Sequence, residues 1–285
     1  MSMFLFLVLP PLGLYVLISQ YLLKNPHRLH RRKKTAFYCT HISHRGGSGE
    51  RIESTMEAFT HAVEEGTEML EMDCHLTQDG HVVVSHDENL LRQTGRDVTI
   101  SSLNLEDLPL YEETLEVTFY AGHYSTGTDR KIALLEDVFR KFPQIPISIE
   151  IKENNRQLMQ ENSAMPYSFS MQRGLLLLLL FYTGLLPFVP LGESLLQFYL
   201  PRIINRTYIP KENILKKRLV VSLIDMITMR RSLFKHLAAR GIQVHLFVCN
   251  REEDIQAAFE LGATGVMTDY PALLSNYMRA YRRQD

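Results

Sequence analysis

A chain of 285 residues with 45% hydrophobic and 22% charged residues can bury one substantial core, and this composition excludes a disordered or low-complexity protein. The formal net charge is −1, but Lys24, Arg28, Arg31, Arg32, Lys33 and Lys34 form one basic run; taking those six from 31 Lys+Arg leaves 25 against 32 Asp+Glu. An acidic remainder excludes nucleic acid as the expected partner.

Residues 1–23 carry no charge, and Met3–Leu23 is long enough to span a bilayer, which takes ~20 apolar residues. The positive charges follow the apolar run and none precede it, which disfavours a cleaved signal peptide. The sequence therefore predicts an N-terminal transmembrane helix, 1–23, and a basic juxtamembrane linker, 24–40. By the positive-inside rule, everything after Lys24 is cytosolic and the chain crosses a membrane once. Cys39, Cys74 and Cys249 have neither disulfide-like nor metal-like spacing and read as free thiols.

From residue 41 the pattern becomes an alternation of strands and helices. A first strand ends at His44-Arg45, a Gly-rich loop follows, and Ser54-Thr55 opens an amphipathic helix that stops at Gly66. Met69–Leu76 reads as a strand, Gln78-Asp79-Gly80 as a turn, and Val82–Ser85 as a strand ending at His86-Asp87. On a strand, residues i and i+2 share a face, so Glu71 and Asp73 aim two carboxylates into one space. Such a pair repels unless a cation lies between, and all-oxygen ligation favours Mg²⁺ or Ca²⁺ over zinc. His44 and His86 supply side chains suited to proton transfer near neutral pH.

Arg92–Lys131 is polar and irregular and reads as a surface excursion. Ile132–Phe142 looks helical and leads into a strand, Ile147–Ile151, on which Glu150 and Lys152 repeat the i, i+2 spacing. Tyr167–Met171 reads as the next strand. Only about fourteen residues separate it from Lys152, and a crossover alone takes at least ~10–12. Seven strand candidates result, so either a segment hides an eighth strand or the barrel lacks one β/α unit after Lys152. Gly174–Pro190 is a second hydrophobic run, and Leu175–Phe181 within it is apolar on all helical faces. A buried helix, a second membrane crossing and a hydrophobic lip at a lipid interface are the three readings, and the lip is favoured. A helix over Met229–Arg240, a strand at Gln243–Cys249, a helix at Glu252–Leu261 and a final strand at Gly265–Thr268 complete the order, with a basic tail helix from Tyr277 to Arg283. Strands alternating with helices, with polar residues at strand C-terminal ends, indicate an α/β fold of the (β/α) TIM-barrel type with its site at that face.

His44-Arg45-Gly46, Glu53-Ser54-Thr55, Glu71-x-Asp73, His86-Asp87, Glu150-x-Lys152 and the run Gly262–Pro271 together resemble the glycerophosphodiester phosphodiesterase family, in the family's order, and more narrowly its membrane-anchored lysophospholipase D subgroup. The resemblance implies that 41–285 is the catalytic barrel, with a hydrophobic insertion at 174–200. It implies Glu71, Asp73 and Glu150 as ligands of a divalent metal, Mg or Ca, and His44, His86, Arg45 and Lys152 as catalytic groups, Lys152 neutralising phosphate. Many family members carry Trp where Phe247 stands. The implied reaction is hydrolysis of lysophospholipids to lysophosphatidic acid and a head-group alcohol such as choline, or release of an N-acylethanolamine. Deacylated glycerophosphodiesters are the alternative substrates, and a shortened, catalytically impaired membrane protein is the rival from another class. The subgroup also implies the endoplasmic reticulum or perinuclear membrane.

Overall fold

The computed structural model describes residues 2–151, 162 and 165–281 of the chain. It opens with helix α1, Ser2–Lys24. Then come strand β1 (His41–Ser43), α2 (Met56–Glu64), β2 (Met69–Leu76), β3 (Val82–Val84), the short α3 (Leu91–Thr94), a hairpin of β4 (Thr114–Glu116) and β5 (Tyr124–Thr126), β6 (Ala133–Leu134), α4 (Leu135–Lys141) and β7 (Ile147–Ile151). The second half comprises α5 (Met171–Thr183), β8 (Leu195–Tyr199), α6 (Arg218–Thr228), α7 (Arg231–Ala239), β9 (Gln243–Phe247), α8 (Glu252–Leu261), β10 (Gly265–Thr268) and α9 (Pro271–Tyr281).

Parallel pairing runs β7-β2-β1-β10-β9-β8, and β3 and β6 extend antiparallel from the C-terminal part of β2. The sheet is thus mixed, a departure from an all-parallel barrel. Its apolar inner and outer positions are filled from two sides. Val244, Leu246 and Val266 pack with Leu237 and Ile255 from the helices, while Leu70 and Met72 pack with Phe59 and Val138. Thr55 caps α2, its hydroxyl accepting from the Ala58 N–H at 3.1 Å, as the sequence signal predicts.

Several segments differ from their sequence reading, among them Ala133–Leu134, which is strand β6 and not the start of a helix, and the tail helix, which begins at Pro271 and not Tyr277. Tyr167–Met171 is not a strand of its own: Ser168 makes a single bridge to Leu195, and Ser170 already accepts from the Arg173 N–H as the cap of α5. Leu195–Tyr199, which the sequence assigns to the hydrophobic insertion, is the barrel strand β8, paired in register with β9 from Leu195–Gln243 to Tyr199–Phe247. Arg92–Lys131 is more than a surface excursion, since Leu90, Ile100, Tyr111 and Leu115 pack on Ile52 and Val83 in a separate apolar cluster. Among the described residues no ladder joins β7 to β8. A side-chain hydrogen bond from Gln197 Nε2 to Ser148 Oγ, 3.2 Å, crosses that seam.

Helix α1 lies against the barrel. Tyr15 Oη donates to the Thr183 carbonyl at 2.6 Å, Ser19 Oγ to the Gly184 carbonyl at 2.7 Å, and His236 Nδ1 to the Leu23 carbonyl at 2.8 Å. Among the described residues no helix is long and apolar enough to cross a membrane. The linker continues across the barrel floor, where the Lys33 N–H donates to the Arg240 carbonyl at 2.9 Å. Gly241 sits beneath it at φ +80°, and a Cβ there would stand 2.4 Å from the Lys33 carbonyl oxygen. Gly241→Ala is expected to destabilise the protein by at least about 1–2 kcal/mol from the left-handed backbone alone. Thermal unfolding of the two chains checks this, and an unchanged melting temperature would refute the close contact.

Candidate active site

The strand alternation of β2 does what the spacing predicts: Glu71 and Asp73 face one side and Met72 the apolar core on the other. The parallel register places Glu150 of β7 opposite Asp73. One oxygen from each of Glu71, Asp73 and Glu150 lies within 4.8 Å of the others. Glu71 and Asp73 are 5% and 1% exposed. Burial, and then the neighbouring Asp73 carboxylate, push the pKa of Glu71 up, to about 7. A buried set of hard oxygen donors held this close fits a divalent cation of the Mg²⁺ or Ca²⁺ kind.

Arg45 follows β1 in the left-handed region (φ 50°, ψ 32°), a conformation that costs a non-glycine residue energy and here aims its N–H at Glu71 Oε2, 2.9 Å. Its guanidinium lies 3.9 Å from Asp73 Oδ2 and 3.3 Å from Glu53 Oε2. Glu53 also accepts from Arg92 at 2.6 Å and Gln93 at 2.7 Å. Burial works to raise its pKa, but Arg45 and Arg92 outweigh burial and hold it at about 2.

Each histidine forms a pair with an aspartate. His44 Nδ1 is 2.6 Å from Asp269 Oδ1, and Asp269 also accepts from Asn250 Nδ2 at 2.7 Å and from Ser48 Oγ. Burial disfavours protonated His44, yet Asp269 outweighs it and its pKa stands above the ordinary value. His86 Nδ1 is 2.6 Å from Asp87 Oδ1, and Asp87 is held in turn by Arg92 Nε at 2.6 Å. In both pairs Nδ1 is committed to a carboxylate and Nε2 is the ring atom left for other work.

His44, Arg45, Glu71, Asp73, His86 and Glu150 all line one cavity of about 170 Å³. Lys152 lies outside the described residues. The opposite wall is aromatic: Phe119, Tyr199, Tyr208 and Phe247 line it, with Phe119 stacked on Tyr208 at 4.7 Å and edge-on to His44 at 5.3 Å. Phe247 is where the sequence expects an aromatic contact. Phe119, Tyr199 and Tyr208 carry no sequence signal, because they reach the cavity from irregular segments and from the unrecognised β8. Asp269 and Asn250 escape a role assignment as well. Asp269 sits in the quoted C-terminal motif, but its partnership with a histidine 225 residues away is visible only in three dimensions.

A TIM-type α/β barrel carrying acidic metal-type donors and two His–Asp pairs in one cavity is the frame of a hydrolytic phosphodiesterase. A model of the glycerophosphoryl diester phosphodiesterase family matches residues 44–174. Human "lysophospholipase D GDPD3" is 43% identical over 308 residues, covering 98% of this chain and 97% of the relative. Human "lysophospholipase D GDPD1" is 45% identical over 306 residues, covering 97% and 98%. The chain belongs to the glycerophosphodiester phosphodiesterase family. Both alignments are longer than the chain itself, so these relatives hold residues that this chain lacks. The glycerophosphodiester phosphodiesterase of Thermotoga maritima superposes with a TM-score of 0.54 at 20% identity over 85% of this chain and 99% of that one, a likeness of fold.

With its pKa raised, Glu71 keeps a proton in the folded chain at pH values where the unfolded chain has lost it. Folded protein then binds more protons between the ordinary carboxylate value of 4.5 and about 7, and metal-free stability falls as pH rises through that window. The melting temperature of chelator-treated protein is expected to drop across it, and Glu71→Gln to flatten the slope. Added Mg²⁺ or Ca²⁺ should raise melting more at the alkaline end than at the acid end. A pH-independent profile, or no response to either ion, would contradict the carboxylate-cluster account.

Proposed function

We propose that this protein is a membrane-anchored, metal-dependent lysophospholipase D that cleaves lysophosphatidylcholine or a related lysolipid, glycerophospho-N-acylethanolamine included, to lysophosphatidic acid or glycerol phosphate and the free head-group alcohol or N-acylethanolamine. The observation that carries this is one cavity joining three carboxylates, two His–Asp pairs and an aromatic wall. The names of the relatives support the substrate class.

Glu71, Asp73 and Glu150 would hold the divalent ion, Mg²⁺ or Ca²⁺. When bound, such an ion offsets charge on a phosphoryl oxygen and polarises the attacking oxygen. Arg45 provides fixed positive charge beside that site, and Lys152 is assigned by family motif to neutralising the phosphate. His44, oriented through Nδ1 by Asp269, and His86, oriented by Asp87, act through Nε2. One removes the proton from the nucleophile and the other protonates the leaving alcohol; water gives the product directly, whereas the glycerol 2-hydroxyl gives a cyclic phosphate that water then opens. The aromatic wall is apolar and suits the carbon skeleton next to the phosphodiester.

A lipid substrate accords with the outer surface. Met171, Leu175, Leu179 and Tyr182 recur on one exposed face of α5, and Leu219, Leu223, Met226 and Ile227 on one exposed face of α6. Tyr182 Oη donates to the Ile227 carbonyl at 2.7 Å and ties the two helices together. At ~1.5 Å per residue the 13 residues of α5 reach about 20 Å, short of a bilayer core, so α5 suits the interface and not a crossing. On their charge pattern alone, residues 1–23 are assigned as the single membrane anchor, with the basic run and catalytic barrel on the cytosolic side of the endoplasmic reticulum or perinuclear membrane.

The seam between β7 and β8 favours a second reading, a shortened barrel that folds but turns over slowly. Choline release from lysophosphatidylcholine by purified chain, with Mg²⁺, Ca²⁺ or chelator, separates the two. Metal-dependent release is expected, with its loss in Glu71→Ala/Asp73→Ala and a ~10²–10⁴-fold fall for His44→Ala or His86→Ala. Well-folded protein without release from lysolipid or glycerophosphocholine would establish the impaired reading. Leu175→Ser/Leu179→Ser should cut turnover of lysolipid in vesicles far more than turnover of soluble glycerophosphocholine. Equal losses would remove the interfacial role of α5.

A further inference from the structure

At the other end of the barrel strands, where Pro190 precedes β8 and Gly241 leads into β9, lies a second cavity of about 240 Å³. That is several times the ~30 Å³ share of one water molecule. Its polar lining is basic: His30, Arg31 and Lys33 from the linker and Arg240 from the end of α7. Its apolar floor includes Leu191 and Ile242, and no carboxylate lines it among the described residues.

Arg240 is 4% exposed. Its Nη2 donates to the Val189 carbonyl at 3.0 Å, while Nη1, equally buried, has no hydrogen-bond partner. A buried guanidinium with an idle N–H is costly unless an acceptor arrives. The nearby acid, Glu193, is committed to Arg173 at 2.6 Å. Lys33 Nζ donates to the Gly192 and Glu193 carbonyls, and His30 Nε2 to the Pro187 carbonyl at 2.8 Å, so both side chains are held in place by backbone acceptors and not by a carboxylate. Burial lowers the pKa of Lys33; Glu193 opposes the shift and Arg240 adds to it. An anion with several acceptor oxygens would satisfy this N–H together with the neighbouring basic groups, and guanidinium geometry matches phosphate.

We propose that His30, Arg31, Lys33 and Arg240 form a binding site for a phosphate group, carried by an anionic phospholipid headgroup or present as free phosphate, separate from the cavity that holds Glu71 and Asp73. The site begins six residues after the end of α1, at the level where a lipid headgroup would stand if α1 is seated in a bilayer. Occupancy would clamp the linker to the barrel floor, since linker and barrel each supply cations to the same anion. Nothing in this inference depends on the hydrolytic reaction.

The test is thermal unfolding of the full-length chain in uncharged detergent with dihexanoyl phosphatidic acid, inorganic phosphate, or dihexanoyl phosphatidylcholine as the uncharged control, at constant ionic strength. A saturating phosphate ligand is expected to raise the melting temperature by about 3 °C or more. The rise should vanish in Arg240→Met and in Arg31→Gln/Lys33→Gln, the second of which alters less-buried side chains and carries the test if the first does not fold. A rise with phosphatidic acid alone assigns a lipid headgroup, and a rise with inorganic phosphate as well assigns the free anion. No rise with either, or a rise undiminished in Arg31→Gln/Lys33→Gln, overturns the proposal.

Discussion

Three carboxylates brought within 4.8 Å of one another, two of them almost closed to water, are the constraint that the surrounding structure answers. Repulsion between Glu71 and Asp73 is unscreened at such burial, and the chain meets it with a relay of alternating charge. Asp73 faces Arg45, Arg45 faces Glu53, Glu53 faces Arg92, Arg92 faces Asp87, and Asp87 holds His86. The left-handed turn at Arg45 belongs to the same answer, because it directs a backbone N–H at Glu71 while its guanidinium serves Asp73 and Glu53. The orientation of His86 thus depends on charges that begin at the carboxylate cluster. His44 stands outside this relay and is fixed from the end of the neighbouring strand β10 by Asp269, which Asn250 holds in turn.

The same strand that carries the carboxylates also anchors the core. Met72 is fully buried with Phe59, Leu70 and Val138, between two residues that face the cavity. A one-residue slip of β2 would drive Glu71 and Asp73 into that apolar cluster and turn Met72 outward. Burial energy in the core therefore fixes the register that aligns Asp73 with Glu150, and site geometry is inherited from packing.

What was legible in the chain follows from this. Period-two alternation over Met69–Leu76 and the helix signals around Thr55, Gly66 and Gly262 are local, and local patterns survive folding unchanged. Asp269, Phe119 and Tyr208 join the site through contacts between distant segments, which no spacing rule encodes. Strand β8 was hidden by its neighbourhood: Leu195–Tyr199 follows a long leucine-rich stretch, so it blended into an apparent insertion. Tyr167–Met171 failed in the other direction. Its aromatic alternation suits a strand, but Ser170 caps α5 and ends the extended run after one bridge. Lys152, placed by motif, lies among residues that are not described.

The seam beside β7 gives the carboxylate cluster a second physical consequence. Along β7, the parallel ladder to β2 holds one edge, whereas toward β8 the described residues offer the bond between Gln197 and Ser148. Glu150 lies on this weakly flanked strand, and Glu71 and Asp73 lie on its well-held neighbour. A divalent ion shared among the three would cross-link β7 to β2 at the level of the cavity. Its binding free energy would then add to the tie between these two strands and help hold Glu150 in register with Asp73.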